Sequence, residues 1–344
     1  MKILKSLLLI LVTLFLCTGC SGDNFNSTIM LVTQNTDFND NGYSHALWAD
    51  LQHFALQTRV LTLANPDDKP LLDVVTTAVQ QKPGLLFISS DADSNPELEP
   101  LVKQHPEITF VMLDKQEAFI QPNYMAVWVK SNEGAFLAGY LAGRMTTTGK
   151  VGFVGGIESA SIDRFKYGYL AGVAYAGQER GQKITVDARM AGTYASQGKG
   201  AWMGQAMYDD GCDIIFCAAG DTGLGVFQEA AQKNKYVIGV DVDQQDLSPE
   251  HVLASALSDY SVVIRQVTDM YMNRERMHPP ADTGLHSRAT GLALNERLVP
   301  YNVTRSINRI KELVEAGRTL ETAHGRSIRV PDNEASYQEF LKQL

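Results

Sequence analysis

Two aromatic rings, Phe38 and Tyr194, and two carboxylates, Asp114 and Asp241, are the residues best suited to chemistry, and that chemistry is recognition rather than turnover. Rings of this kind stack on a flat or ring-shaped solute, while carboxylates accept hydrogen bonds from its hydroxyls. The combination suits a sugar or a nucleoside. Each residue also has a plainer reading: Phe38 could belong to a core, and Asp114 or Asp241 could cap a turn. Their convergence on predicted strand ends favours binding. The stretch Gly220-Asp221-Thr222-Gly223-Leu224-Gly225 adds glycines where backbone can approach a ligand closely, at a helix N-terminus whose amide hydrogens point outward.

Motifs for other chemistry fail on inspection. Asp37-Phe38-Asn39-Asp40-Asn41-Gly42 fits the first half of a calcium loop, but its twelfth position is Trp48 instead of the bidentate glutamate. Gly192 to Lys199 resembles a phosphate loop with one residue too many between its glycines. Gly200 stands where a serine or threonine should hold magnesium. The histidines, His45, His53 and His251 among them, show no metal spacing, and no Gly-x-Ser-x-Gly elbow occurs. No catalytic residue, metal or cofactor is expected. Cys212 and Cys217 sit five apart in one predicted strand, on opposite faces, and read as two buried thiols.

The elements that must position these residues alternate strand and helix. Apolar runs at Thr28 to Val32, Arg59 to Leu63, Gly84 to Ser89 and Ile108 to Leu113 predict strands, with helices over Ala46 to Leu56, Leu71 to Gln81 and Leu98 to His105. A second series has strands at Val151 to Val154, Ile184 to Ala188, Asp213 to Cys217, Tyr236 to Val240 and Val252 to Leu257. Continuously apolar strands mark parallel sheets covered on both faces. The fold class is therefore α/β, with two doubly wound parallel-sheet lobes. Ligands of such sheets bind beyond the carboxyl ends of the strands, which places the site between the lobes. The expected division is an N-terminal lobe of residues 28–127 and 252–280 and a C-terminal lobe of residues 128–251 and 281–344.

The first residues point to a compartment. Lys2 and Lys5 precede an uncharged run, Ser6 to Leu16, too short to span a bilayer, which takes about 20 apolar residues. The run ends in Cys17-Thr18-Gly19-Cys20, which reads as a lipoprotein processing site. Residues 1–19 would be the signal peptide, Cys20 the lipidated residue and 20–27 a small polar tether. The alternative is an ordinary secretory cut nearby. The chain carries a net charge of −9, or −11 once Lys2 and Lys5 leave with the signal. That acidity argues against nucleic acid as a partner.

Several stretches together resemble one family: Glu133 to Gly139, Val151 to Gly156, Arg164-Phe165, Gly168 to Gly172, Ala218 to Gly225 and Ile238 to Gln244. The chain is similar to the basic membrane protein family, the purine-nucleoside receptor lipoproteins that feed ABC transporters. The resemblance implies a type I periplasmic-binding fold with three crossovers, a nucleoside in the cleft, and delivery to an ABC permease and its ATPase. It also implies residue roles. Phe38 and Tyr194 would stack on the base, Asn39, Asp114 and Asp241 would hydrogen-bond base or ribose, and the Gly220 to Gly223 turn with Asp221 would give backbone contacts. Two positions depart from the family pattern: Asn35 replaces an aspartate, and Ser258 replaces a lysine aimed at ligand hydroxyls. Each change removes a charge from the site. A surface sensor with the same fold and a different or untransported ligand is the rival expectation.

Overall fold

The computed structural model describes residues 25–33, 43–64, 70–89, 95–115, 119–316, 320–321 and 327–344. The first lobe runs β1 (Ile29–Thr33), α1 (Tyr43–Gln52), β2 (Val60–Ala64), α2 (Leu71–Val79), β3 (Leu85–Ser89), α3 (Glu99–Gln104), β4 (Thr109–Leu113) and β5 (Tyr124–Val127). Its strands pair in parallel in the order β2-β1-β3-β4-β5. Alternate residues of each strand serve opposite faces. Ile29, Leu31, Leu85, Phe87, Val111 and Leu113 join one core, and Met30, Val32, Leu86, Ile88, Phe110 and Met112 the other. Two buried faces explain why these strands read as unbroken apolar runs.

The second lobe follows with α4 (Ser131–Met145), β6 (Lys150–Gly155), α5 (Ala160–Arg180), β7 (Thr185–Met190), α6 (Gln197–Asp209), β8 (Ile214–Ala218), α7 (Asp221–Gln232), β9 (Tyr236–Asp241) and β10 (Val252–Ser258). After α8 (Ser261–Met272) come β11 (Thr290–Leu294), α9 (Tyr301–Glu315), the short pair β12 (Leu320–Glu321) and β13 (Ser327–Ile328), and α10 (Glu334–Gln343). The second sheet is ordered β11-β10-β9-β8-β6-β7, with only β11 antiparallel. Predicted strand positions agree to within one or two residues. β5, β11, β12, β13, α4, α6, α8, α9 and α10 went unpredicted.

One expected boundary needs correcting. The return to the first lobe was placed at residue 252, but β10 pairs with β9 in the second sheet, and Leu253, Ala254 and Ala256 lie in that lobe's core. The chain crosses back only at Tyr260, which packs with Val263, Ile264 and Val267 of α8 against the first sheet. An apolar strand does not announce which sheet it joins. Three linkers thus connect the lobes, after β5, after β10 and after α8. They are tied to one another: the Lys130 amide donates to the Thr283 carbonyl at 2.9 Å, and the Asp259 amide to the Ala289 carbonyl at 2.8 Å. Cys212 precedes β8 rather than lying in it. Both thiols are free, buried in the same cluster, and held protonated by burial, Cys212 being pushed up to about 12.

The second lobe is built around a contact of bare backbone. A Cβ on Gly139 of α4 would stand 2.0 Å from the Tyr169 carbonyl oxygen, and one on Gly172 of α5 would stand 2.1 Å from that of Phe136. The two helices therefore approach as closely as only glycine permits. Gly172→Val should force them apart, at an overpacking cost of about 2 kcal/mol or more. The midpoint of thermal unfolding should then fall by roughly 4–8 °C; an unshifted midpoint would refute this account of the helix pair.

Candidate functional site

The described candidate residues, Asp114, Tyr194, Gly220, Asp221, Gly223, Asp241 and Ser258, all follow the carboxyl ends of strands or close them. Asn35, Phe38, Asn39 and Cys20 lie outside the described residues. Asp114 follows β4 in a left-handed conformation, φ 59°, and Asp241 closes β9 in the same way, φ 66°. This region is uncommon for residues other than glycine, and Asp is among those that tolerate it. The Asp114 amide is fixed by the Val127 carbonyl at 2.7 Å.

The Asp114 carboxylate reaches across to the other lobe. It accepts hydrogen bonds from the Ser161 hydroxyl and the Arg164 guanidinium, both in the opening turns of α5. α5 itself starts on the Ser159 side chain, which accepts from the Ile162 amide at 3.3 Å. The Arg164 guanidinium lies over the Trp128 ring, 4.9 Å from its centre. Ser161, Arg164 and Trp128 are site residues that the sequence reading did not single out for a role. Arg164 did stand in the matched stretch Arg164-Phe165, but Asp163 and Lys166 are charged as well, so nothing local set it apart.

Among the described residues Asp241 has no such cation. Burial pushes its carboxyl up to about 7, the negative charge of Asp114 adds to the rise, and the buried Ser258 hydroxyl opposes it in part. The structure thus brings Asp114, Asp241 and Ser258 together at the junction of the lobes, with two carboxyls and one guanidinium between them.

Tyr194 belongs to a second group in the same lobe. Its ring lies across Gly156, where a Cβ would stand 2.0 Å from a ring carbon, and its backbone touches Gly220. The Tyr194 hydroxyl stands 3.5 Å from the Ile157 carbonyl, and its own carbonyl accepts from the Thr222 amide at 3.0 Å. Thr222 is fully buried; its hydroxyl donates to the Thr193 carbonyl and accepts from the Ser196 amide. Those bonds tie the Tyr194 loop to the start of α7. Gly220, at φ 53°, is the residue before that helix, and Asp221 puts a carboxylate in its first turn, where the helix dipole favours a negative charge. Gly223 lies in the first turn of α7, where its amide donates to the Gly220 carbonyl at 2.9 Å and a Cβ would stand 3.4 Å from that of Cys217. Among the described residues no group of acidic, histidine and cysteine side chains could hold a metal ion.

A separate groove of about 1030 Å³ lies at the other end of the first lobe, lined by Phe25, Lys82, His105, Tyr271 and Arg274 among others. It sits at the amino ends of the strands and shares no residue with the cleft set.

Comparison with known proteins then decides the family. Residues 27–315 match the family described as ABC transporter substrate-binding protein PnrA-like. The chain belongs to this family. Basic membrane protein A1 of Borrelia garinii subsp. bavariensis is 32% identical over 246 residues, covering 70% of this chain and 69% of that protein. Basic membrane protein D of Borreliella burgdorferi is 29% identical over 354 residues, covering 99% of both. Among solved structures, an ABC transporter solute-binding protein of Aeropyrum pernix K1 superposes with a TM-score of 0.79 at 18% identity, over 92% of this chain and 96% of that one. The fold is thus that of the type I periplasmic-binding proteins, as the resemblance implied. A PnrA-like substrate-binding protein works outside the cytoplasm. No helix among the described residues is long and apolar enough to cross a membrane.

The raised Asp241 carboxyl makes stability depend on pH. Between about 4 and about 7 the unfolded chain has lost this proton while the folded protein keeps it, so stability falls as pH rises through that window. Asp241→Asn removes the penalty. The variant should melt higher than the parent at pH 8 and close to it at pH 4, with a residual slope below pH 6 from Asp50, whose carboxyl burial and Asp259 raise to about 6. A gain of equal size at both pH values would show that Asp241 is not the cause.

Proposed function

We propose that this chain captures a nucleoside in the cleft between its lobes and delivers it to a membrane permease powered by an ATPase. It does so from a lipid anchor on Cys20, outside the cytoplasmic membrane. The observation that carries this reading is the set of groups at the strand ends of the second lobe, where Tyr194 offers a half-buried ring and Asp241 a buried carboxyl without a cation among the described residues. A ring of that kind stacks on a base, and such a carboxyl accepts the hydrogens of paired ribose hydroxyls. Phe38 would close the stack from the first lobe, with Asn35 and Asn39 beside it. The Gly220 turn and Asp221 would border the ligand from below. Membership of a PnrA-like substrate-binding family supports capture and delivery as the role.

Ser258 gives the site a short neutral donor beside Asp241, in place of a long cationic one. A ligand that donates to Asp241 stabilises its anion and so replaces part of what burial took away. Contacts to both lobes would make the closed arrangement the one that the ligand favours.

Thermal unfolding in the presence of nucleosides, free bases and pentoses tests the ligand class. At a hundred times its dissociation constant a ligand adds about 2.7 kcal/mol, a rise of roughly 5 °C or more at this size. A rise with nucleosides alone supports the assignment, and no rise across the panel removes it. Tyr194→Ala should weaken nucleoside binding by about 1–3 kcal/mol, and unchanged affinity would exclude the stacking role. Cys20→Ser should move the protein from the membrane fraction to the aqueous one, whereas retention in the membrane would disprove the anchor.

A further inference from the structure

We infer that Arg164 is a positioning residue that latches the two lobes together before any ligand arrives. The inference rests on the reading that the lobes part about their three linkers to admit a solute. Arg164 belongs to α5 of the second lobe, and Asp114, which it pairs with, belongs to the first. Ser161, one turn earlier on α5, donates to the other carboxylate oxygen, so both oxygens are held from across the junction. The Arg164 side chain is only 3% exposed, against 20% for Asp114. Its guanidinium rests on Trp128, which lies in the first linker between β5 and α4. Its Nε has no hydrogen-bond partner among the described residues.

The energetics follow from which parts move together. When the lobes part, Asp114 leaves with the first sheet while Arg164 stays with α5. The guanidinium, already short of one partner, would then face the cleft with its charge unmatched. Removing one member of a buried pair costs far more than the pair contributes, because an uncompensated charge is left behind. The aromatic face of Trp128 offsets part of that cost and keeps the guanidinium at the pivot, aimed at Asp114. Closure is thus favoured by a contact internal to the protein, and a solute has only to supply the remainder. Arg164 acts on affinity through the population of the closed form, without touching the ligand.

Small-angle X-ray scattering on the ligand-free protein tests this directly. Arg164→Gln and Asp114→Ala should each give a larger radius of gyration, the double variant should be no larger than either single one, and Arg164→Lys should stay nearest to the parent. In a background of Trp48→Phe and Trp202→Phe, the emission of Trp128 should shift to the red in Arg164→Gln as the ring loses its cover. Saturating adenosine should return Arg164→Gln to the parent's radius, with an apparent affinity about tenfold weaker. The latch is overturned if Arg164→Gln melts cooperatively yet keeps the parent's ligand-free radius and Trp128 emission. If that variant does not fold, Asp114→Ala decides by the same readings. Because the scattering comparison needs no ligand, a failure of adenosine to bind the parent would remove the nucleoside assignment and leave the latch standing or falling on its own result.

Discussion

Parallel strands buried on both faces are the constraint from which everything else follows. A strand that hydrogen-bonds to parallel neighbours must have its connections made by helices, and these cover the sheet above and below. All the carboxyl ends then collect at one edge of each sheet. In this chain Asp114 lies at that edge of the first sheet, and Asp241, Ser258 and the loops carrying Tyr194 and Gly220 at that of the second. The linkers decide how the two edges face each other. Backbone hydrogen bonds tie the third linker to each of the other two.

Within that frame the electrostatics are uneven by design of the sequence. Among the described residues two aspartates share the junction, and one of them, Asp114, has a cation. Asp114 is satisfied from the opposite lobe by Ser161 and Arg164. Asp241 is left to burial, which holds a proton on it near neutrality. One carboxyl therefore joins the lobes to each other, and the other is the one proposed to meet a donor on the ligand.

Much of this was legible in the sequence because periodicity reports burial, and burial on two faces is what a parallel sheet requires. The strands carrying Ile29, Leu85, Phe110 and Phe153 could be read for that reason, and the rule that ligands lie beyond strand ends picked out Asp114 and Asp241. What escaped was whatever depends on assembly. The strand before Ser258 could be read but not assigned to a sheet, so the return to the first lobe was set several residues early. β5 and β11 are edge strands of four and five residues, and apolar runs that short do not mark a strand unaided. Arg164 was visible as a residue, yet its partner lies fifty positions away and across the lobe boundary, a pairing that no local pattern encodes. The left-handed backbone at Asp114 and Asp241 was equally silent, since aspartate adopts it without a sequence mark.

The contact between Tyr194 and Gly156 restricts how the sequence can diverge. The ring occupies the volume that a side chain at position 156 would need, so the two positions are not independent. As long as an aromatic residue stands at 194, every substitution at 156 evicts the ring. A smaller residue at 194 would open position 156 to change and at the same time give up the stacking surface proposed for the ligand. Descendants of this chain that alter their ligand can therefore vary the ring itself, by trading its hydroxyl or its size, while the glycine beneath it stays locked. The order of events is imposed as well: position 194 has to shrink before position 156 can grow.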